Sequence, residues 1–488
     1  MQACVFERAH TYHARHVVKR CRVPGGCKGV WYHNKRVVPG VLAGQLCRWH
    51  LFYPWSSAQP AYVTNKSGRS AVSTKLLTDT SIKQCTLSAG FASLAAIHNR
   101  TVGRGLERLT GATLMQCWEI LAVNKHRQGV GPFRWFSPND HPIVAHNPCE
   151  VGILDISGTL SGLNDWPGLR LEMDDIVSTF WADTPWSGHL CDDCCKPIEV
   201  DGETHMIQCA VIDGITATRH RKCAMHGCQF DLPGMGEARW CETHEQVYGH
   251  LCAVTTPEQC QEAHQEDRLT CEAHSPMEDT WRFHNSLGGF HKAKRARAAG
   301  RPYETAEVRL LRSMFGKWTT FGSLVASASC GCILGAGTLW EAEGMVEVEK
   351  CLNDIFPDPL LRPQLLMYDI ACRRRNFLRN HPNPLWAGTQ LVVDRWHFTT
   401  HTEIQCFVHC DPERRDNPLL WTVDGDGNER FLWNSSISES NNSFLSRLGA
   451  VVRRMPRVLS TFCLYTNMVV HNEMLIAEKL KSKNPTFR

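Results

Sequence analysis

The amino-acid sequence predicts an α/β fold in which a mixed sheet is flanked by helices and interrupted by a Cys/His-rich insert. Short apolar runs that end at Asp213 and Asp369 have the composition of buried strands, and a segment rich in cysteine and histidine follows the first of them. Amphipathic segments complete the pattern. With 488 residues, 43% of them hydrophobic, the chain can bury a large core and has room for about two to four domains.

Composition limits the classes of partner and compartment. The formal net charge is only +4, so any affinity for nucleic acid has to come from local basic clusters. The opening stretch, MQACVFERAHTYHARHVVKR, lacks the apolar run of a secretory signal, which predicts a reducing compartment. There, 24 cysteines are expected to bind metal and not to form disulfides.

One segment, residues 321–340, has the length of a membrane span. Its glycines and serines divide it into two short apolar runs, GSLVASA and CGCILGAGTLW. Such runs fit adjacent strands of a buried hairpin better than a lipid-facing helix. We therefore expect no membrane segment here.

The chain divides into five predicted regions. They are a Cys/His-rich amino-terminal region (1–60), a helical subdomain (75–180), a first core strand with a preceding Cys cluster (185–222), a Cys/His insert (223–284) and the remainder of the core (285–475). The helical subdomain is predicted from apolar residues at helical spacing, such as Phe91, Leu94 and Ala95. The core is predicted from THMIQCAVIDG, RPQLLMYDI and TQLVVDRWHF as strands and from two closing helical segments.

Metal ligands in the insert fall into two successive sets. The sets are Cys223, Cys228, Cys241 and His244, then Cys252, Cys260, Cys271 and His274. Each offers the four ligands that tetrahedral zinc requires, and both end in a Cys-x2-His pair. Because eight ligands for two ions leave no open position, the pattern predicts structural zinc. His226 is a candidate to replace one of the ligands of the first set. The alternative to zinc binding is that these residues are unpaired buried thiols and surface histidines.

Three further Cys/His groups could bind zinc, with less regular spacing. They are His189 with Cys191, Cys194 and Cys195, then Cys21, Cys27, Cys47 and His50, and finally His401, Cys406 and Cys410 with His397 or His409. For each of these groups, core cysteines and histidines without a metal are the open alternative.

Carboxylates are predicted to converge at one edge of the sheet. Asp213 and Asp369 each end an apolar strand, and Glu439 begins an amphipathic helix that could lie over that edge. Three converging carboxylates can hold two hard cations, Mg²⁺ or Mn²⁺, one activating the attacking oxygen and one stabilising the leaving oxygen. Asp394, also at a strand end, is an equal competitor, and strand-ending aspartates commonly serve in turns or caps.

A basic stretch, HKAKRARAAGR, follows the insert. It places Lys292, Lys294, Arg295, Arg297 and Arg301 in one short segment. Clustered cations suit phosphate contacts or nuclear import, and a solvated surface loop is the alternative.

The order of these elements adds to the prediction. A strand with Asp213, a hairpin, a helix, a strand with Asp369 and a late helix with Glu439 follow one another as an RNase H-like sheet needs. Carboxylates so distant in sequence become neighbours only in such a fold.

Five stretches also carry a family resemblance. They are AVIDGITATRHRKC with the CxxH pairs after it, SASCGCILGAGTLWEAEG, FPDPLLRPQLLMYDIAC, VVDRWHFTTH with the later CDP, and NSSISESNNSFLSRLGAVVRRM, and RVPGGCKG near the start adds to them. On these residues the chain resembles the fungal cysteine-cluster proteins associated with KDZ (Kyakuja, Dileera, Zisupton) transposases, within the RNase H-like DDE transposase family.

The resemblance implies a DDE core with a zinc-chelating insert after its first strand. Asp213, Asp369 and Glu439 would then be the three acids of metal-dependent DNA hydrolysis and strand transfer. DNA and a transposase are the implied partners, the nucleus is the implied compartment, and self-association is left open. The alternative is a catalytically inactive, zinc-stapled DNA- or protein-binding module associated with a transposase; a zinc-dependent hydrolase is disfavoured because the ligand sets are full.

Overall fold

The computed structural model describes most of the chain from residue 70 onward. Described are residues 70–127 without 88–89 and 103–107, residues 189–483 without 201, 234–237, 256–257, 286–291, 293–294, 297–309, 312–313 and 316–317, and, outside these ranges, strands before residue 65 and residues 155–156, 170 and 173–178. Several predicted site residues lie outside the described residues: Cys21, Cys27, Lys294, Arg297 and Arg301, together with the side chains of Cys47 and His50.

Strands dominate the described backbone of the amino-terminal region. They are β1 (Gln2–Phe6), β2 (Thr11–Arg15), β3 (Lys19–Arg20), β4 (Val30–Trp31), β5 (Lys35–Leu42), β6 (Gln45–Phe52), β7 (Tyr62–Thr64) and β8 (Ser70–Ser73). One sheet has the order β2-β1-β8-β7, and a second runs β3-β4-β5-β6 and ends on β9 (Asp155–Ile156).

Three helices follow β8, namely α1 (Thr74–Leu87), α2 (Phe91–Val102) and α3 (Gly111–Arg127). The Trp118 ring on α3 is fully buried and meets the rings of Phe91 at 5.3 Å and Phe462 at 6.2 Å, both edge to face. Phe462 belongs to the last helix of the chain, so this helical unit shares a core with the carboxyl-terminal elements.

The central sheet is mixed. Its strands are β10 (Cys195–Val200), β11 (Glu203–Ile215), β12 (Gly322–Ala328), β13 (Ile333–Leu339), β14 (Leu365–Tyr368) and β15 (Gln390–Val392). The order is β13-β12-β11-β14-β15, with β12 antiparallel to its neighbours, β14 and β15 parallel to β11, and β10 pairing with the first half of β11. Every residue of β12 and β14 is buried, as expected where both faces of a sheet are covered.

Helices and a small hairpin surround this sheet. They are α4 (Glu242–Tyr248), α5 (Ser275–Asn285), α6 (Met345–Ile355), α7 (Ala371–Asn380), α8 (Arg395–Phe398), α9 (Ile404–His409), β16 (Trp421–Val423), β17 (Glu429–Phe431), α10 (Ile437–Val452) and α11 (Arg457–Lys483). Helix α6 lies so close to β13 that a Cβ at Gly337 would stand 2.5 Å from the Cys351 sulfur. Glycine therefore permits this helix–sheet contact.

The predicted hairpin within residues 321–340 is present as β12, which is buried along its whole length, and β13, which is buried at both ends and forms an edge of the central sheet. No helix in the described part of the chain has the length and apolar character that crossing a membrane requires.

A buried ion pair joins α6 to α7. Arg374 is fully buried, its Nε lies 2.5 Å from the Glu349 carboxylate, and its guanidinium stacks on the Trp386 ring at 4.6 Å. Arg362 packs on the same ring at 4.6 Å. Arg374, although close to Asp369 in sequence, is thus a core residue that cannot reach a ligand.

We expect Glu349→Ala to lower the free energy of unfolding by about 3–5 kcal/mol, because it leaves the Arg374 cation buried without its partner. Urea unfolding followed by circular dichroism measures this change. Glu413→Ala removes the half-exposed partner of Arg395 and should cost at most about 1 kcal/mol. Equal costs for both variants would contradict the expected difference.

Candidate functional site

Three carboxylates meet at one edge of the central sheet. Asp213 lies near the end of β11, Asp369 directly follows β14, and Glu343 lies in the loop between β13 and α6. One oxygen from each lies within 4.8 Å of the other two. The register explains the meeting of the aspartates, because Ile212 pairs with Tyr368 on the parallel neighbour and each aspartate is the next residue.

Glu343 is the member of this cluster that the sequence reasoning missed. The Tyr368 hydroxyl donates a hydrogen bond to Glu343 Oε1 at 2.7 Å and fixes the carboxylate over β11. A Cβ at Gly214 would stand 2.6 Å from that carboxylate, so the glycine after Asp213 makes room for it. The sequence offered one indication of this role. The segment WEAEG, which contains Glu343, directly follows the predicted hairpin, and the hairpin returns the chain toward the end of β11.

Glu439 lies beside the cluster, in the first turn of α10. Its carboxylate is 46% exposed and lies 3.8 Å from Nε2 of His397. The other ring nitrogen of His397 lies 2.7 Å from Oδ2 of Asp394. The described structure therefore brings Asp213 and Asp369 together with Glu343, and places Glu439 against His397 at the margin of the site.

Asp394 serves as a helix cap. Its Oδ1 accepts hydrogen bonds from the backbone N–H groups of Trp396 and His397, which start α8. Its other oxygen holds the His397 ring. Burial opposes protonation of His397, but the charges of Asp394, Asp369 and Asp213 outweigh it and raise the His397 pKa.

The site has an excess of negative charge. Burial, and then the charges of Asp369, Glu343 and Glu439, raise the pKa of Asp213 to about 7. Burial also raises the pKa values of Glu343 and Asp369. The Asn442 amide donates to Asp213 Oδ2, and its own buried Oδ1 has no hydrogen-bond partner among the described residues. Such an oxygen-rich site fits a hard divalent cation.

Without added Mg²⁺ or Mn²⁺, we expect the free energy of unfolding of wild type to fall by about 2 kcal/mol relative to that of Asp213→Asn as the pH rises from about 5.5 to 8. The folded chain keeps the Asp213 proton up to about pH 7, whereas the unfolded chain releases it near the ordinary pKa of 3.8. Wild type thus loses stability as pH rises through this window, and a neutral asparagine does not. Urea unfolding at both pH values measures the difference; a constant difference would contradict the expected coupling.

The two ligand sets of the insert are each assembled in space. Cys223, Cys228, Cys241 and His244 form one group, and Cys252, Cys260, Cys271 and His274 form the other, each with its ligand atoms within 4.8 Å of one another. His244 Nδ1 lies 3.3 Å from the sulfurs of Cys223 and Cys241, and His274 Nδ1 lies 3.4 Å from Cys252 and 3.3 Å from Cys271. Both groups could bind zinc.

Local backbone geometry explains the repeated Cys-x2-His pair. Cys241 and Cys271 are both extended residues that immediately precede a helical turn, and the turn brings the histidine back to the sulfur. His226, the substitute ligand considered from the sequence, is 90% exposed and lies near Glu341, outside the first group.

Arg239 connects the two groups. Its backbone carbonyl accepts from Ala224 N beside the first group, and its guanidinium donates to the Ala253 carbonyl beside the second. The same guanidinium packs on the rings of Trp240 and Trp318. The insert is therefore one packed unit with two ligand groups.

Among the residues that the structure describes, two further Cys/His groups lie outside the insert. His189, Cys191 and Cys194 are completed by Cys330 from the turn between β12 and β13, with 3.3 Å between Cys330 Sγ and His189 Nε2. Cys195, the fourth ligand considered from the sequence, instead begins β10 and stands outside the group.

The second group consists of Cys372, His401 and Cys406, whereas Cys410, which the sequence pattern included, is buried but stands outside the group. Here Cys372, on α7, was missed from the sequence, as Cys330 was in the other group. Both come from segments far along the chain, so local spacing carried no signal for them. His397 belongs to the carboxylate site, and His409 is exposed.

The basic stretch is described only in part. Lys292 and Arg295 are both exposed, and the Lys292 ammonium lies 5.7 Å from the Phe283 ring at the end of α5. A phosphate-binding role for this segment stays a prediction.

Comparison with protein-family models gives a match over the first core strand and the insert. Residues 211–280 match the family model described as the CxC6 like cysteine cluster associated with KDZ transposases. The matched segment begins inside β11, two residues before Asp213, and contains both ligand groups of the insert. No curated protein and no solved structure matches the chain. For the matched segment, the resemblance predicted from the sequence is confirmed.

Proposed function

We propose that this chain, which carries a cysteine cluster of the kind associated with KDZ transposases, is a transposase-related protein that cuts DNA phosphodiester bonds at its carboxylate site. The observation that carries the proposal is the convergence of Asp213, Glu343 and Asp369 within 4.8 Å. These residues come from three separate parts of the chain. Oxygen donors in such an arrangement are what phosphoryl-transfer enzymes use to hold divalent cations.

The proposed fold is RNase H-like. Its support is the strand order β13-β12-β11-β14-β15, in which an antiparallel three-stranded meander precedes two parallel strands, with α6 and α7 as the crossovers. In chain order, Asp213 lies near the end of the first of these five strands and Asp369 directly follows the fourth, so the two aspartates lie at adjacent strand ends.

Each side chain has a proposed role. Asp213 and Asp369 would hold Mg²⁺ or Mn²⁺, with Glu343 held by Tyr368 as a further ligand and Glu439 arriving from α10. Cations bound there would activate the attacking water or 3′-hydroxyl and neutralise the charge that develops on the phosphate. His397, kept in orientation by Asp394, would contact the DNA backbone at the rim of the site, where the nearby carboxylates raise its pKa and favour the protonated ring.

Structural zinc would hold the framework of the site. The insert leaves the sheet directly after the strand that carries Asp213 and returns at β12, so both insert ions would fix the segment between two core strands. The group of His189, Cys191, Cys194 and Cys330 would join the strand entering the core to the hairpin turn. DNA is the proposed substrate and the nucleus the proposed compartment, supported by the exposed cations Lys292 and Arg295.

A second candidate function is an inactive, zinc-stapled DNA- or protein-binding module associated with a transposase. The observation that favours it is the extent of the family match. Residues 211–280 include Asp213 and the insert but end before Glu343, Asp369 and Glu439.

The test is nicking of supercoiled DNA by the purified, zinc-loaded full chain, with Mg²⁺, with Mn²⁺ and with neither. Zinc content and DNA binding are measured on the same preparation. Nicking that requires the added divalent cation supports the proposed nuclease. Intact DNA binding without nicking under either cation would reject it in favour of the binding module.

A further inference from the structure

A Cys/His cluster lies close to the carboxylate site in sequence but outside both the insert and the family match. It consists of Cys372 in the first turn of α7, His401 after α8 and Cys406 on α9. Nδ1 of His401 lies 3.2 Å from the Cys406 sulfur and 3.7 Å from the Cys372 sulfur. Both sulfurs are buried, with Cys372 at 6% and Cys406 at 1% exposure.

A fourth soft donor stands one helical turn beyond Cys406. Cys410 is completely buried, and its backbone N–H donates to the Cys406 carbonyl at 2.9 Å, so the helical turn continues up to it. Residues four apart on a helix share a face, which directs the Cys410 side chain toward the side that carries Cys406. The Cys410 sulfur stands outside the group in which the atoms of the other three ligands lie within 4.8 Å of one another, so it would close on the ion only when zinc is bound.

We propose that Cys372, His401, Cys406 and Cys410 bind one zinc ion. Three thiols and one imidazole are the ligand set of a closed, tetrahedral structural site. The apolar surroundings, which include Leu391, Val393 and Phe398, exclude water from the sulfurs. The Phe398 ring also stacks on His401, with 6.2 Å between ring centroids, and holds its Nδ1 toward the sulfurs.

The position of this ion would give it a role at the carboxylate site. Cys372 follows Asp369 by three residues. The other three ligands lie in the segment that begins at Asp394 and contains His397. Zinc would therefore tie this segment to the strand end that bears Asp369 and set His397 against Glu439. This positioning role rests on the proposed function, whereas the zinc site itself does not.

Zinc per chain, measured by elemental analysis of the purified full chain, tests the site. Cys372→Ser, Cys406→Ser and Cys410→Ser should each bind one zinc ion fewer than wild type. Cys406→His replaces one zinc ligand with another and should keep the ion. Cys351→Ser is the matched control, because this buried thiol on α6 belongs to none of the Cys/His groups in the described part of the chain and should leave the zinc content unchanged.

Wild-type zinc content in folded Cys406→Ser protein would overturn the site. Loss of one ion in Cys372→Ser and Cys406→Ser but not in Cys410→Ser would overturn the assignment of Cys410 as the fourth ligand. Circular dichroism of each variant separates loss of one ion from global unfolding. Co²⁺ substitution gives a second readout, since each lost thiolate should weaken the sulfur-to-cobalt absorption of the loaded chain.

The positioning role is tested by the Mn²⁺ dependence of DNA nicking. Cys406→Ser should need about tenfold more Mn²⁺ for half-maximal nicking, and Cys406→His should restore the wild-type requirement. An unchanged Mn²⁺ requirement in a variant that has lost its zinc would reject the positioning role and leave the zinc site standing. If wild type does not nick DNA, the proposed function fails, and the zinc counts still decide the site.

Discussion

Asp213→Asn and Asp369→Asn are each expected to reduce cation-dependent nicking of supercoiled DNA by about a thousandfold, which corresponds to about 4 kcal/mol of transition-state stabilisation. Each asparagine removes one charged oxygen from the group of Asp213, Glu343 and Asp369. Because Asn442 can donate to the oxygen of an amide as it does to Asp213, the fold around the first position should persist. Initial rates of nicking at saturating Mn²⁺ measure the effect.

Variants of Glu343 and Glu439 test whether the carboxylates that meet in the structure, or those predicted from the sequence, matter more for the rate. Glu343→Gln should lower the rate as the aspartate variants do, because its carboxylate is a member of the convergent group. Glu439→Gln should have the smaller effect in the free protein, since Glu439 lies at the margin against His397. A larger loss in Glu439→Gln would mean that α10 moves toward Asp213 when cations and DNA bind.

Asp354→Asn is the matched control for all four variants. Asp354 is an exposed acid on α6 and is not a member of the carboxylate group. It should retain the wild-type rate. Equal losses in Asp354→Asn and Asp369→Asn would show that the assay reports stability and not chemistry.

Removal of zinc from the insert is expected to unfold residues 223–284, because structural zinc contributes apparent binding free energies of about 10–16 kcal/mol that appear as folding free energy. Apolar packing in the described part of the insert consists of two small clusters around the ligand groups. Unfolding should expose Trp240, which is buried between Arg239 and Tyr248. Tryptophan fluorescence and limited proteolysis during chelation measure the change.

Variants of two histidines in the insert compare the loss of a zinc ligand with the loss of an exposed histidine. His244→Ala removes a ligand of the first group and should lose one zinc ion and become sensitive to protease. His226→Ala removes an exposed histidine from the same segment and should behave as wild type. If both variants kept full zinc content, His244 would not be a zinc ligand.

Local patterns in the sequence determined the zinc-ligand sets of the insert and two of the three carboxylates of the site. The ligands of each insert set fall within one continuous stretch of sequence, 223–244 or 252–274, so their spacing alone predicts two complete sets, and the structure assembles both. Asp213 and Asp369 could be predicted from the sequence for a related reason. Each ends an apolar run, so the local sequence alone marks it as a residue at a strand end.

Only the tertiary structure decided the long-range partners. Glu343 joins the aspartates because β13 returns its loop to the edge of β11, and Cys330 and Cys372 complete groups whose other members lie far along the chain. Arg374 faces the core and not the site because α7 packs its buried side on Glu349 and Trp386. Sequence periodicity encodes which face of an element is buried, but strand register and helix packing determine which distant side chains meet there.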